Sequence, residues 1–324
     1  MSKNILITGA SGEIGTALIN SLSDHNIVGL DLSDLHQSSA SRVVNFFKGS
    51  LLDKELIGTI FSKYKFDEVY HLAALLSSKC EKEPELAHDV NVNSTVNLLT
   101  HCKDHGGRIK FFFPSSIAVY GIPDKSDSKI NHVLESEFLD PITIYGCTKL
   151  YCEMIGKYFA KVFGVDFRSI RFPGIISALT LPSGGTSDYI PEMFHSAVNN
   201  RRYVSFVNES SQLPFMTMPE AVGAINKLMQ SPENKVLSRV YNIRSFSLSA
   251  LGCKEKILSH FPNAQIEFSS NSNRQWLVDS WPNDVNDNLA REEWGWASTY
   301  TIDSAIEEYL IPNIKKNYQE NYDG

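Results

Sequence analysis

Along the first half of the chain, short apolar runs alternate with longer segments in which apolar positions recur every three or four residues. The runs at 4–8, 27–30, 43–47, 68–73, 109–113 and 165–172 read as strands, because strands buried on both faces are nearly continuous in apolar residues. Between them the spacing predicts helices over 16–23, about 54–64, 84–105 and 145–163. Strict alternation of the two predicts an α/β fold whose parallel sheet is covered on both faces, with ligands at the carboxyl ends of the strands. The second half is less regular and predicts a smaller lobe. The expected division is 1–174 and 175–324, with some later segments returning to the first unit.

Where the strands end, the residues change character. The first run stops at Gly9-Ala-Ser-Gly12-Glu13-Ile14-Gly15 and the chain then turns helical. Gly9 permits a tight turn, Gly12 lets backbone N–H groups approach a pyrophosphate, and Gly15 lets the helix pack closely on the sheet. A glycine triplet alone marks only a turn. The second strand, however, ends in Asp31, about twenty residues past the glycines, where an acid can accept from the adenosine ribose hydroxyls. A carboxylate there repels a 2′-phosphate and no Arg stands beside it, so the pattern predicts a Rossmann-type, doubly wound nucleotide fold that takes NAD rather than NADP. Leu52 and Asp53 follow the third strand, and Leu72, Ala73 and Ala74 the fourth. Asp53 reads either as an adenine contact or as a helix N-cap. The alanines read either as room for the cofactor or as simple packing.

Composition narrows the setting without pointing to chemistry. The 324 residues are 42% hydrophobic with a net charge of -7, and Lys and Arg are scattered, so neither nucleic acid nor an anionic membrane is an expected partner. No apolar run is long enough to span a bilayer, and the strand pattern starts within four residues of Met1. Cytoplasmic localisation is the expectation. Cys80, Cys102, Cys147, Cys152 and Cys253 form no Cys-x-x-Cys pair and no paired metal-ligand spacing, so no metal is expected. Cys147 is expected to be a small core filler.

Chemistry enters with Tyr145-Gly-Cys-Thr-Lys149. Tyr and Lys four apart on a helix share a face, and an ammonium beside a phenol favours the phenolate over its ordinary pKa of about 10. Alone, the pair also fits a snorkelling Lys beside a half-buried Tyr. A second distinctive stretch, Gly184-Gly185-Thr186-Ser187-Asp188, sets a hinge before a helix start. Its donors suit a carboxylate and its acid suits an ammonium, as in an amino acid. An N-cap with a glycine loop fits the same residues.

Taken together, Gly9-x-x-Gly12-x-x-Gly15, Asp31, His71-Leu-Ala-Ala74, Asn91-Val-Asn-Ser-Thr95, Ser115-Ser116-Ile-Ala-Val-Tyr-Gly121 and Tyr145-x-x-x-Lys149 resemble the extended short-chain dehydrogenase/reductase superfamily. That resemblance implies Tyr145 as general acid/base, Lys149 as the group that lowers its pKa and holds the nicotinamide ribose, and Ser116 as the group that orients the substrate oxygen, with Ser115 as an adjacent alternative. It implies that Asn91 braces a helix beside the cofactor and that Ile175, in Pro173-Gly-Ile-Ile176, contacts the nicotinamide. Nearly end to end, with Leu213-Pro-Phe-Met-Thr-Met-Pro219, Ser280-Trp281-Pro282 and Ala290-Arg-Glu-Glu-Trp-Gly-Trp296 added, the chain resembles the short-chain-type L-threonine 3-dehydrogenases. Substrate contacts then fall on Ser77, Ser116, Tyr145, Gly184, Thr186, Asp188 and Trp281. Trp281 reads equally as a core aromatic, and Trp294 and Trp296 more so. The helices near 86–105 and 143–163 are apolar on more than one face. In relatives these pair across a two-fold axis, so a homodimer is expected.

Overall fold

A computed structural model describes residues 2–22, 24–106, 108–127, 130–180 and 185–322, with side chains described to residue 319. Among the described residues twelve strands follow in chain order: β1 (Asn4–Thr8), β2 (Asn26–Asp31), β3 (Asn45–Lys48), β4 (Glu68–His71), β5 (Lys110–Ser116), β6 (Asp166–Phe172), β7 (Gly174–Ile176), β8 (Tyr203–Ser205), β9 (Gln212–Thr217), β10 (Val240–Asn242), β11 (Phe246–Ser249) and β12 (Ile266–Phe268).

Seven of them form one parallel sheet in the order β10-β6-β5-β4-β1-β2-β3. The reversal of strand order beside β1 opens a crevice at the carboxyl ends, where open α/β sheets bind their ligands. Side chains along each strand alternate between two cores, as the period of two requires. Ile5, Ile7, Tyr70 and Phe112 join one core with the helices Glu13–Ser21 and Met218–Gln230. Leu6, Val69, Phe111 and Phe113 join the other with Lys54–Lys63, Ser94–Asp104 and Ile144–Phe163. The remaining strands make a small mixed sheet, β11-β9-β7, and a parallel pair, β12-β8.

Most predicted elements are present, with instructive differences. The segment expected as one helix over 84–105 is built from Pro84–Ala87, a π-helical stretch His88–Asn93 and Ser94–Asp104. π-turns of this kind widen a helix by one residue and are frequent at functional sites. The fourth strand stops at His71, so Ala73 and Ala74 belong to the loop. Cys147, expected in the core, is exposed, while the other four cysteines are buried. On its helix Cys147 lies on the solvent face, opposite the face that packs on β5 and β6. Trp294 and Trp296 are buried in the core, as expected.

Candidate active site

The nucleotide half of the site is a cleft of about 600 Å³. Of the expected cofactor residues, Gly9, Gly12, Glu13, Ile14, Gly15, Asp31, Leu52, Leu72, Ala73 and Ala74 line it. Gly9 has φ +70°, which L side chains rarely adopt, and a Cβ on Gly15 would stand 2.2 Å from the Gly9 carbonyl oxygen. No other residue fits either place. The Asp31 carboxylate is fixed by backbone amides, Ser11 N at 2.9 Å and Ser33 N at 2.9 Å, which hold it at the cleft wall where a ribose diol would meet it. The cradle and its acid fit NAD and disfavour a 2′-phosphate.

Asp53 does not line the cleft. Its Oδ1 accepts from Leu56 N at 2.9 Å as the N-cap of Lys54–Lys63, the second of the two roles open to it. Lining residues that the sequence reading missed include Ser11, Ser33, Lys79, Leu86 and Val90. The first two flank recognised positions. The other three come from helices that fold back over the β4 end, and only the tertiary path brings them there.

The reactive side chains stand at the ends of β5 and its covering helix. Thr143 caps Ile144–Phe163 by accepting from Gly146 N at 2.9 Å, and a Cβ on Gly146 would lie 2.1 Å from the Ala118 carbonyl oxygen. The helix start is thereby pressed onto the turn that follows Ser116. Ser116 favours the ionised form of the Tyr145 phenol and its Oγ accepts from Ala118 N at 3.1 Å, whereas Ser115 donates to Glu153 at 2.5 Å. Lys149 donates to the Pro114 carbonyl at 2.7 Å, with its ammonium 5.5 Å from the Tyr145 ring centre.

Burial dominates the electrostatics of this group. It holds the Tyr145 phenol well above its ordinary value, with Cys80 adding to the rise and Ser116 opposing it. It pushes Lys149 down to about 8 against the opposite pull of Cys152, Cys80 and Glu153. The expected lowering of Tyr145 by Lys149 is therefore not a property of the protein's groups alone, since desolvation of the phenolate exceeds the attraction of an ammonium at that separation.

Asn91, in the π-helical stretch, is buried and grips the β4–helix loop at two points. It accepts from Leu75 N at 2.8 Å and donates to Leu75 O at 3.1 Å, and it also reaches Thr148 Oγ1 at 3.2 Å. It braces the loop that lines the cleft against the helix that carries Tyr145.

The expected substrate residues stand on separate segments. Ser77 opens the helix Ser77–Lys82 beyond the β4 loop. Thr186 is buried, and Asp188 Oδ2 accepts from Gly185 N at 2.6 Å, so part of its carboxylate holds its own loop. Gly184 lies outside the described residues. This loop touches the short strand β7 that holds Ile175, because a Cβ on Gly174 would lie 3.2 Å from the Ser187 Cβ. Arg274, stacked on Phe206, donates to Gly185 O at 2.7 Å. Trp281 is buried, and its indole N–H has no partner among the described residues. The Ser280 carbonyl beside it accepts from Ile122 N at 2.8 Å, which ties Trp281 to the loop leaving Ser116.

Comparison with known proteins agrees with this geometry. Residues 5–243 match the NAD dependent epimerase/dehydratase family. An uncharacterized epimerase/dehydratase of Staphylococcus haemolyticus is 32% identical, with 98% of this chain and 99% of that one aligned. A monomeric L-threonine 3-dehydrogenase from a metagenome is 37% identical over 97% of this chain and 99% of its own, with a TM-score of 0.88. The L-threonine 3-dehydrogenase of Trypanosoma brucei is 32% identical over 99% of this chain and 98% of its own, with a TM-score of 0.89. Cleft, sheet order and matched residues lead to one assignment: the chain belongs to the NAD dependent epimerase/dehydratase family of extended short-chain dehydrogenase/reductases, and NAD is its cofactor.

Proposed function

We propose that the protein oxidises the C3 hydroxyl of L-threonine to 2-amino-3-ketobutyrate. The observation that carries this reading is the likeness along almost the whole chain to L-threonine 3-dehydrogenases, at up to 37% identity. Ser116 at the end of β5, with Tyr145 and Lys149 on the helix that covers it, adds the chemistry such a reaction needs.

When bound, NAD accepts the hydride at its nicotinamide C4 and brings a positive charge to the site. Tyr145, as phenolate, takes the proton from the substrate hydroxyl as the hydride leaves C3. Ser116 donates to the same oxygens and fixes their direction, and Lys149 holds the ribose and favours the phenolate. Thr186 and the loop before Tyr189–Val198 meet the substrate carboxylate, Asp188 meets its ammonium, and Ser77 and Trp281 close the sides. Holding these groups in register contributes about 7 to 11 kcal/mol to such reactions.

The relatives named as epimerase/dehydratases keep a second reading in view, a sugar-nucleotide epimerase or dehydratase. Such an enzyme needs free cations for a diphosphate. Here Arg202 pairs with Glu267, Arg239 with Asp166 and Glu233, Arg244 with Asp284, and Arg291 with Asp287, at different places on the second half. A sensor that binds NAD without turnover would have no use for Tyr145, Lys149 and Ser116 together.

Formation of NADH from NAD and L-threonine, followed by ultraviolet absorbance and abolished by Tyr145→Phe, is the expected result. Tight NAD binding without turnover on threonine would overturn the substrate assignment, and a panel of sugar nucleotides would then separate the other two readings. We also propose that the protein works as a homodimer, through the outer face of Ile144–Phe163 and the helix beside it.

A further inference from the structure

Glu153 is one helical turn beyond Lys149 and has almost no solvent exposure, yet none of the chemistry above uses it. A buried carboxylate costs several kcal/mol unless its lone pairs are met. Here they are. Ser115 Oγ donates to Oε1 at 2.5 Å, Arg171 Nε donates to Oε1 at 2.8 Å, and Arg171 Nη2 donates to Oε2 at 2.6 Å.

The two donors are not independent. Ser115 on β5 and Arg171 on β6 are direct register partners in the sheet, and the next pair in that register is Ser116 and Phe172. One carboxylate therefore clamps the catalytic helix to two adjacent strands, one residue before Ser116. One turn earlier, Lys149 grips Pro114 on the same strand. Arg171 carries the clamp outward. Its Nη1 donates to Tyr120 OH at 2.8 Å and to Glu135 O at 2.8 Å, on the loop that leaves Ser116.

We propose that Glu153 is a positioning residue, which sets the separation of Ser116 from Tyr145 and Lys149 by holding Ser115 and Arg171 against the catalytic helix. The inference rests on the Tyr145/Lys149/Ser116 reading of the site and extends it to a pair of buried charges that touch neither substrate nor cofactor. A purely structural ion pair would serve equally well anywhere along the helix. This one holds the strand residue next to Ser116, one turn beyond Lys149, and its serine leg adds no charge.

The test uses two variants, because Glu153→Gln alone would leave Arg171 buried without its counter-charge. Ser115→Ala removes one leg and keeps the ion pair. The double variant Glu153→Gln with Arg171→Gln removes both charges together at similar volume. Two readouts are compared with wild type: kcat against the dissociation constant for NAD, and the pH at which Tyr145 ionises in the NAD-bound protein. The second is followed by phenolate absorbance with Tyr145→Phe as the blank, and it needs no substrate.

The titratable groups facing the pair are Lys149, Lys157, Tyr120, Glu135 and Cys152, and all are retained in the variants. Ser115→Ala is expected to lower kcat about 10-fold, in line with the steep dependence of such reactions on sub-ångström placement, with NAD affinity within about twofold of wild type. In the double variant Lys149 loses the carboxylate that favours its charged form, so Tyr145 is expected to ionise at higher pH. Unchanged kcat and an unmoved tyrosine titration in Ser115→Ala overturn the proposal. So does a fall in kcat that NAD affinity follows in parallel, which would mark the clamp as general scaffolding. A wild type that fails to oxidise threonine counts against the proposed substrate instead, and the titration then decides this inference alone.

Discussion

His71 shows how one side chain can be read to the level of its protons. Thr95 donates its hydroxyl proton to Asn91 O at 2.6 Å, so its oxygen accepts from His71 Nε2 at 2.9 Å. His71 Nδ1 is then the acceptor for the Thr8 hydroxyl at 2.8 Å. This imidazole is fully committed in its neutral form. Burial, followed by the charge of Lys149, lowers its pKa to about 3. The unfolded chain takes up the proton near pH ~6.5 while the folded chain refuses it, so stability should be lost as pH falls through that window, by about 1.4 kcal/mol per unit at most. Urea midpoints measured at neutral and mildly acid pH should show this slope, and His71→Asn should flatten it while lowering stability at neutral pH. An equal slope in the variant would mean that other groups set the acid sensitivity. At the far end of the cleft, Asp31→Ala should weaken NAD binding by roughly 1.5 to 3 kcal/mol, the range for hydrogen bonds to a charged group, and narrow the preference over NADP. Paired titrations with the two cofactors read both effects at once.

At the scale of elements, the glycine turn, the acid ending β2 and the Tyr/Lys helix were legible because each depends on local spacing. Gly15 and Gly146 are dictated by backbone contacts that no other residue tolerates, and Asp31 by its place at a strand end. The π-turn at His88–Asn93 was not legible, since widening a helix by one residue leaves its apolar period almost intact. Its use is visible only in three dimensions, where it sets the Asn91 amide against both polar groups of Leu75. Glu153 and Arg171 were missed for a related reason. A lone acid on a helix and a lone cation on a strand look like surface residues until the register pairs Arg171 with Ser115. Asn91→Leu keeps much of the volume and removes these bonds, so it should cost about 1 to 3 kcal/mol of stability for the polar groups left unmet. It should also weaken NAD binding, because Leu75 lines the cleft. Loss of stability with intact NAD affinity would reduce Asn91 to a packing role.

For the molecule as a whole, the feature left over by the fold is an apolar stripe on the catalytic helix. Tyr151, Met154, Tyr158 and Val162 are each about half exposed, at 48%, 65%, 51% and 51%, and they recur at the spacing of one helix face, with Cys147 one turn before. Isolated exposed hydrophobics need no explanation, but a continuous stripe of this length on a helix already packed on its other side is an interface signature. A second copy of the chain, related by a two-fold axis, would set the stripe against itself. The metagenome relative is described as monomeric, so the fold alone does not impose association, and the proposed dimer rests on the side chains of this stripe. Tyr158→Lys places a charge at the middle of the stripe and should cost association about 2 kcal/mol or more, the range for a central interface anchor. The solution mass should then move from twice the 36.3 kDa chain toward one chain over a dilution series in which wild type stays dimeric. The stripe faces away from Ser115, Ser116 and Glu153, so NAD affinity should remain that of wild type. A wild type of single-chain mass at every concentration would rule the dimer out and leave the stripe as solvent-facing surface of a monomer.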